Sequence, residues 1–257
     1  MSADYNALLD KLDPIKLEEM SAIRLMNRTD SKFLTNEDQL RTLLGMVSND
    51  YLVQEIDGKR MAHYSTLYLD DADNTMYLNH HNKRLTRQKV RVRSYVDSNL
   101  DFFEIKLKNN HGRTKKKRME IAGPDRWNQA DTAEFLEQHA MLPIPLSGLQ
   151  PKITNDFQRI TLVNKAHTER LTIDSGLSFH NVESGIDRIM DRLVIIEVKR
   201  DGNTESPIMD MLRQLRIQPS GFSKYCIGMA LTLPGIKRNN FNLRLRKIEK
   251  LTQYYYV

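Results

Sequence analysis

Two neighbouring segments of the chain alternate strictly between polar and apolar residues, which is the pattern of strands with two different faces. In residues 89–95 the polar positions are Lys89, Arg91, Arg93 and Tyr95, separated by Val90, Val92 and Ser94. In residues 103–108 the polar positions are Glu104, Lys106 and Lys108, and the apolar ones are Phe103, Ile105 and Leu107. Both polar faces are mainly cationic. They are either a solvated sheet surface or a set of cations directed at one anionic ligand.

Similar patterns predict the other elements of the chain. We expect strands at 28–33, 51–57, 63–70, 87–96, 101–108, 113–121, 153–163, 169–175 and 192–200. We expect two short helices within 4–26, and further helices at 36–47, 75–81, 125–140, 209–215 and 221–233. Short connections between strands favour antiparallel hairpins, so the predicted fold class is α+β. We expect one domain over residues 1–257, with N-terminal helices in 1–26 and a basic, then aromatic tail at 237–257 to which we assign no role.

The cationic strand faces constrain what the sheet can do if it closes into a barrel. Those faces then point either to solvent or into the lumen. Many cations facing one another across a low-dielectric lumen repel strongly. The inward arrangement is tolerable only where the lumen is wet and normally holds anions, so such a barrel implies its own ligand.

Composition narrows the class of partner and compartment. The chain has 257 residues, and Lys and Arg exceed Asp and Glu to give a net charge of +6. This excess favours a polyanionic partner. The single cysteine, Cys226, excludes an intramolecular disulfide, which suits a reducing cytoplasm. We see no signal-peptide pattern and no apolar run of the ~18 residues that a membrane span needs. We therefore expect a cytoplasmic protein, which could still dock on a membrane partner.

Six motifs resemble those of one known family. They are Arg28-x-Asp-x-Lys-Phe33, Tyr64-Ser-Thr-Leu-Tyr-Leu-Asp70, Lys89-Val-Arg-Val-Arg-Ser-Tyr95, Phe103-Glu-Ile-Lys-Leu-Lys108, Glu197-Val-Lys199 and Phe222-Ser-Lys-Tyr225. In this order they resemble the VTC-type polyphosphate polymerase domain of the triphosphate tunnel (CYTH-like) superfamily. The resemblance implies a closed antiparallel β-barrel with peripheral helices, whose tunnel is lined with Lys, Arg and acidic residues.

The resemblance also implies an activity and a set of site residues. Members of this branch transfer the γ-phosphate of ATP to a growing polyphosphate chain and use a divalent metal, commonly Mn²⁺, with Mg²⁺ as the other choice. The residues expected to be catalytic are Arg91, Arg93, Lys106 and Lys224. Those expected to bind substrate are Lys32, Lys108, Lys115, Lys117, Arg159, Arg170 and Lys199. Glu197 and Glu104 are the expected metal ligands.

The residue chemistry agrees with phosphoryl transfer. That reaction requires positioning and charge stabilisation more than a nucleophile from the protein, and Arg and Lys supply both to phosphate oxygens. Glu197 interrupts an apolar run, and a carboxylate there is costly unless it has a partner. No Gly-x-x-x-x-Gly-Lys-Ser/Thr loop is present, which excludes a Walker-type site. We expect Arg91, Arg93, Glu104, Lys106, Glu197 and Lys199 to face a common lumen.

Other functions remain open at this stage. The same fold could hydrolyse tripolyphosphate or nucleoside triphosphates, with water as acceptor, or bind polyphosphate without catalysis. RNA binding ranks last, because the cations are not interleaved with the paired surface aromatics used for stacking. We therefore expect ATP and polyphosphate or tripolyphosphate as partners and no nucleic acid. We interpret His80 and His81 as surface residues rather than metal ligands.

Overall fold

The segments with two-residue periodicity form the strands of one large sheet. The computed structural model describes residues 5–23, 28–202 and 204–256. Those residues contain eleven strands: β1 (Asp13–Ile15), β2 (Arg28–Asn36), β3 (Tyr51–Gln54), β4 (Ala62–Asp70), β5 (Arg87–Tyr95), β6 (Leu100–Lys108), β7 (Thr114–Ile121), β8 (Gln150–Asn164), β9 (Glu169–Asn181), β10 (Asp187–Met190) and β11 (Leu193–Asp201).

Helices connect and cover these strands. They are α1 (Asn6–Leu9), α2 (Leu17–Ala22), α3 (Glu37–Met46), α4 (Thr75–His81), α5 (Ala130–His139), α6 (Pro207–Gln214), α7 (Lys224–Thr232) and α8 (Asn242–Thr252). The mixture confirms the predicted α+β class. Across the described ranges, no helix combines the length and the apolar character that crossing a bilayer would require.

The main path through the sheet is antiparallel and runs in the order β2-β11-β9-β8-β4-β5-β6-β7. The strands β1, β3 and β10 lie off this path, and β1 pairs with β3 in parallel. Among the described residues, no ladder joins β2 to β7. The sheet is therefore curled rather than closed by hydrogen bonds. Asp30 and Lys32 of one edge strand nevertheless line the same cavity as Thr114 and Lys116 of the other, so the curl encloses a tunnel.

The convex face of the sheet is mainly apolar. Ile196 of β11, with its neighbours on the same face, packs against α1, α3 and α6 in one core cluster. Val90 and Val92 of β5 and Ile105 of β6 pack with α5 in another. Because adjacent residues of a strand point to opposite faces, these contacts direct the charged residues between them into the concave side.

One helix lies inside the curl rather than around it. Leu34 and Ile195 are each two residues from charged positions of the concave face, and both pack in the cluster that contains α7. This helix therefore fills one end of the concave side. The predicted tunnel fold with peripheral helices is confirmed, and α7 differs from the other helices because almost all of its nine residues are buried.

The structure corrects three details of the sequence prediction. Between the two N-terminal helices, residues 13–15 form the edge strand β1, because they pair with β3. The short strand β10 was not predicted and pairs with β9. The tail at 237–257, which had no assigned role, forms α8 and packs Leu245 and Ile248 against the concave-side cluster. Residues 1–4, 24–27 and 257, parts of the predicted N-terminal helical region and of the tail, lie outside the described residues.

Gly228 fixes how closely α7 approaches the sheet. A Cβ at this position would lie 2.6 Å from both Ile153 Cδ1 and Phe179 Cδ1, which are buried. We expect Gly228→Ala to lower the free energy of unfolding by about 1–3 kcal/mol through overpacking. Urea denaturation measures this change.

Gly45 provides the matched control. It lies in α3, where an added Cβ would meet nothing within 4 Å. We expect Gly45→Ala to raise the free energy of unfolding by about 0.5–1 kcal/mol through helix propensity. Equal effects of the two substitutions would contradict the close packing of α7.

Candidate functional site: a cationic cavity in the concave face

The curled sheet encloses a cavity of about 490 Å³ whose lining is strongly cationic. Nine cations line it: Lys32, Lys89, Arg91, Arg93, Lys106, Lys116, Arg159, Lys199 and Lys224. Three carboxylates accompany them: Asp30, Asp174 and Glu197. The other lining residues are Tyr68, Tyr95, Thr114, Ile195, Phe222 and Ser223. Positive charge therefore exceeds negative charge threefold at the cavity wall, which favours an anionic ligand.

Glu104 is buried beneath the cavity lining and binds two of these cations. Its carboxylate is fully buried, and it accepts hydrogen bonds from Arg91 Nε at 2.7 Å and from Lys116 Nζ at 2.9 Å. Burial alone would raise the pKa of Glu104, but Arg91, Arg93 and Lys116 outweigh it and lower the pKa to about 2. Glu104 is therefore ionised at physiological pH, and it orients Arg91 of β5 and Lys116 of β7.

Asp174, on β9, likewise binds and orients two of the lining cations. Arg159 binds it with two parallel bonds, Nε to Oδ1 at 2.6 Å and Nη2 to Oδ2 at 2.8 Å. Lys224 Nζ also donates to Oδ2. Burial would raise the pKa of Asp174, but the two cations hold it below its usual range. The pair joins β8 and β9 to the first residue of α7.

Glu197 is the third carboxylate between cations, and it faces the cavity itself. Lys32 Nζ donates to Oε1, and Lys199 Nζ lies 3.6 Å from Oε2. Against the effect of burial, Lys199 and Lys32 lower the pKa of Glu197 to about 2. Its side chain keeps 18% exposure, so this carboxylate can still meet a ligand in the cavity.

The two predicted metal ligands differ in whether they fit a divalent cation. Glu104 does not fit, because both its oxygens accept hydrogen bonds from cations and none of its surface reaches the cavity. Glu197 fits, because a hard cation can be held by one carboxylate together with phosphate and water oxygens. In the described ranges, no three His, Cys, Asp or Glu side chains group in a way that could hold a metal without such help.

Arg93 is a buried cation of the lining that has no carboxylate partner among the described residues. It is 7% exposed, its Nη2 lies 3.4 Å from Thr66 Oγ1, and its buried Nε has no hydrogen-bond partner. No carboxylate of the described residues forms an ion pair with it, and its guanidinium lies 5.7 Å from the centre of the Tyr64 ring. Burial and the neighbouring Arg91 lower the pKa of Arg93 to about 10. A buried guanidinium in this state gains strongly from an anion in the cavity.

Lys106 shows how crowded the positive charges are. Enclosure by the protein and the charge of Arg91 lower the pKa of Lys106 to about 8, although Glu197 opposes the shift. An anion bound in the cavity would favour the charged ammonium and raise this pKa.

Most sequence-predicted site residues do meet in the cavity. Those that line it are Lys32, Arg91, Arg93, Lys106, Arg159, Glu197, Lys199 and Lys224. Of the six residues expected to face one lumen, five line it, and Glu104 is buried beneath the lining in contact with Arg91 and Lys116. What each contributes to binding or catalysis stays a prediction.

Four predicted substrate-binding residues lie outside the cavity lining. Lys115 and Lys117 pair with Leu107 and Ile105 and therefore point to the convex face; Lys116, between them, pairs with Lys106 and points inward. Lys116 therefore takes the lining position, and a role of Lys115 and Lys117 in substrate binding stays a prediction.

The other two lie elsewhere on the concave side. Arg170 Nη2 donates to the carbonyl of Met20 at 2.9 Å, so this arginine binds α2 instead of lining the cavity. Lys108 is on the inward face of β6 but lies opposite Arg87, beyond the lining.

The histidine interpretation is also corrected. His81 is completely buried, and its Nε2 and carbonyl oxygen both contact Asn240. It packs α4 against the start of α8, which is a tertiary contact that no local pattern indicates.

Several lining residues were missed, and some left a signal in the sequence. Alternation already places Lys89 on the face of Arg91 and Arg93, but the expected site residues do not include it. Asp174 alternates with Thr172 on β9 in the same way. Ser223 and Phe222 reach the cavity only because α7 enters the concave side, and no strand pattern indicates that.

Comparison with known proteins assigns the chain to a class. Residues 27–233 match the model of the VTC domain. The chain belongs to the VTC domain family, which confirms the resemblance seen in the six motifs.

Solved structures of similar topology come from several sources. A putative adenylyl cyclase from Hippeastrum, described as having a dominant triphosphatase activity, is 14% identical with a TM-score of 0.49, covering 82% of this chain and 98% of that one. A putative adenylate cyclase from Vibrio parahaemolyticus is 10% identical with a TM-score of 0.44, covering 79% and 97%. A protein from Pyrococcus horikoshii OT3 is 11% identical with a TM-score of 0.40, covering 76% and 96%. No curated protein matches the chain.

The low pKa of Glu104 predicts how acid affects stability. Because its folded pKa of about 2 lies below the ordinary glutamate pKa of 4.5, the carboxylate stabilises the fold above pH 4.5. That stabilisation is lost as the pH falls from 4.5 towards 2. We expect the difference in free energy of unfolding between the wild type and Glu104→Gln to shrink over this window. Urea denaturation at a series of pH values measures it.

The control is Glu137→Gln on the exposed side of α5. We expect its free energy of unfolding to follow the wild type within about 0.5 kcal/mol at each pH. A constant difference between wild type and Glu104→Gln from pH 2 to pH 7 would show that the Glu104 charge does not stabilise the fold.

Proposed function

We propose that this protein is a polyphosphate polymerase that transfers the γ-phosphate of ATP to a growing polyphosphate chain inside the cationic cavity. The observation that carries the proposal is Arg93, a buried guanidinium without a carboxylate partner in the described residues, which lines a cavity with eight other cations. Membership of the VTC domain family supports it. Since ATP is the donor, the cytoplasm is the proposed compartment.

The cavity suits a linear chain of phosphates better than a single anion. Its cations come from six strands and one helix, so they surround the lumen instead of forming one patch. Arg91 and Arg159 are already oriented by Glu104 and Asp174 through bonds of 2.6–2.8 Å. Preoriented guanidinium groups can bind phosphate oxygens with little loss of side-chain entropy.

The proposed step needs no nucleophile from the protein. A terminal oxygen of the polyphosphate chain forms a bond to the γ-phosphorus, and the bond from that phosphorus to the β,γ-bridging oxygen breaks. The electron pair leaves with ADP. Arg93, Lys106 and Lys224 stabilise the charge on the transferred group and on the leaving oxygen, which is the main form of catalysis in phosphoryl transfer.

A divalent cation completes the proposed site. Glu197 would hold it, as the carboxylate that faces the cavity, and Mn²⁺ or Mg²⁺ would neutralise phosphate charge there. The residues Lys32 and Lys199 keep Glu197 ionised, since they lower its pKa to about 2. The carboxylate is therefore ready to bind a cation throughout the physiological pH range.

Arg93 and Arg246 form a matched pair of arginines for a test. Arg93 is buried at the cavity wall, and Arg246 is exposed on α8. We expect Arg93→Ala to slow polymer synthesis at least tenfold, because a charge-assisted bond to phosphate contributes about 1.5–3 kcal/mol. Arg246→Ala should leave the rate unchanged. The measurement is the initial rate of long-chain formation from ATP and Mn²⁺, with a melting curve for each variant.

Product analysis in the same assay separates the polymerase from the alternatives. Release of free phosphate without long chains would show a phosphohydrolase, and binding of polyphosphate without turnover of ATP would show a binding module. Equal, small losses in both arginine variants would contradict the proposed role of the cavity.

Glu197→Gln tests the metal site. The substitution keeps the shape and removes the charge, so we expect Mn²⁺ to bind at least tenfold more weakly in the presence of tripolyphosphate. Without metal, tripolyphosphate should bind at least as tightly as to the wild type, because one negative charge leaves the cavity. Electron paramagnetic resonance of Mn²⁺ and calorimetry measure these two quantities. Glu137→Gln is the control, and unchanged Mn²⁺ binding in Glu197→Gln would give Glu197 a structural role instead.

A further inference from the structure

A second group of cations lies just outside the cavity lining. Arg87 and Lys108 are directly opposite each other on β5 and β6. Gln88, next to Arg87, is 1% exposed and accepts hydrogen bonds from the backbone N–H groups of Met141 and Leu142, so it points to the convex side. Because neighbours on a strand point to opposite faces, Arg87 and Lys108 belong to the concave side.

A third cation reaches this place from a different element. Arg244 of α8 lies beside Gly221, with its Nη2 3.6 Å from the point where a Cβ of Gly221 would be. The next residues along the chain, Phe222 and Ser223, line the cavity, and Lys89 Nζ donates to Ser223 Oγ at 2.8 Å. Lys89 lies between these residues and the cavity. We call Arg87, Lys108 and Arg244 together the rim cluster.

The positive charges of the rim cluster affect the pKa of His80. Its buried Nδ1 has no hydrogen-bond partner among the described residues. Burial and the positive charges of Lys89, Arg87, Arg244 and Lys108 lower the pKa of His80 to about 2. The imidazole therefore stays neutral at physiological pH and adds no positive charge to this region.

The rim cluster differs from the cavity in having no carboxylate to balance it. In the described part of the chain, none of its three members forms an ion pair, whereas Arg91 and Arg159 of the cavity each do. All three are partly exposed, so water screens their repulsion. An anion that bound there would not have to displace a protein carboxylate first.

The cluster also continues the line of charge that begins deep in the cavity. Arg87, Lys89, Arg91 and Arg93 occupy one face of β5 at every second residue. With a rise of about 3.3 Å per residue, the face extends for about 20 Å from Arg93 to Arg87. A linear polyanion that leaves the cavity along β5 meets Lys89 and then the rim cluster.

We propose that the rim cluster binds the part of a polyphosphate chain that extends beyond the cavity, and so distinguishes long chains from ligands of triphosphate length. This inference rests on the proposed function, because it takes polyphosphate as the ligand. The ligand chemistry that the rim cluster recognises is a row of phosphate oxyanions. Orthophosphate offers only one such group.

The test removes rim charges and compares ligands of different length. The variants are Arg87→Gln, Arg244→Gln and both together, and the control is Arg246→Gln on the exposed side of α8. Calorimetry without metal or ATP gives dissociation constants for orthophosphate, tripolyphosphate and a long-chain polyphosphate. We expect each rim variant to weaken binding of the long chain about three- to tenfold. Binding of tripolyphosphate should change less than about twofold, and Arg246→Gln should change neither.

Melting curves and a second variant keep the result interpretable. If the double variant unfolds, Lys108→Gln replaces it with the same expected selectivity. Unchanged affinity for the long chain would overturn the inference, and so would equal losses for tripolyphosphate, which would place these arginines in the cavity site. Loss of orthophosphate binding alone would also overturn it, because the rim would then be a site for free phosphate.

The outcome is separable from that of the polymerase proposal. Selective loss of long-chain binding in a protein that makes no polymer from ATP would support the rim cluster and refute the polymerase. Polymer synthesis by the wild type, with long-chain binding unchanged in every rim variant, would do the reverse.

Discussion

Repulsion between like charges inside a curled sheet is the constraint on which the rest of this structure depends. Nine cations face a cavity of about 490 Å³. Unit charges a few ångströms apart repel by several kcal/mol at the effective dielectric of a protein. The apolar convex face supplies the opposing free energy, because its burial against α3, α5 and α6 keeps the sheet curled. The arrangement of the side chains in the folded protein therefore favours the binding of anions.

Three carboxylates make this arrangement possible without filling the cavity. Glu104, Asp174 and Glu197 each contact two cations from different strands or from α7. Buried ion pairs contribute little to net stability, since the cost of desolvation offsets the attraction. Their main effect here is positional: each carboxylate holds cations in fixed places, and Arg93, Lys89 and Lys106 are left to interact with a ligand.

The helix α7 joins the core to the site. Its buried residues occupy one end of the concave side, and its first residue, Lys224, donates to Asp174. The next residue, Tyr225, donates its hydroxyl to Asp70, a buried carboxylate that also caps the backbone of α4. The position of Lys224 therefore depends on packing that lies away from the cavity, so substitutions in the core can alter the site.

The sequence by itself determined which strands carry charge and on which face. Alternation identified Arg91, Arg93 and Lys106, because the period of a strand is a local property. The family followed from six motifs in order, and the α+β fold class followed from the predicted strands and helices. Glu197 was identified because a carboxylate in an apolar run requires a partner.

Only the tertiary structure decided which neighbours those residues meet. In the run of cations 115–118, alternation cannot tell Lys115 and Lys117 from Lys116, because the inward face depends on the register with β6 across the turn before β7. The hydrogen bond of Arg170 to Met20 joins residues 150 positions apart, and Glu104 binds cations of both neighbouring strands, β5 and β7. Local periodicity sets the face of a side chain, but pairing across strands and helices sets its partner.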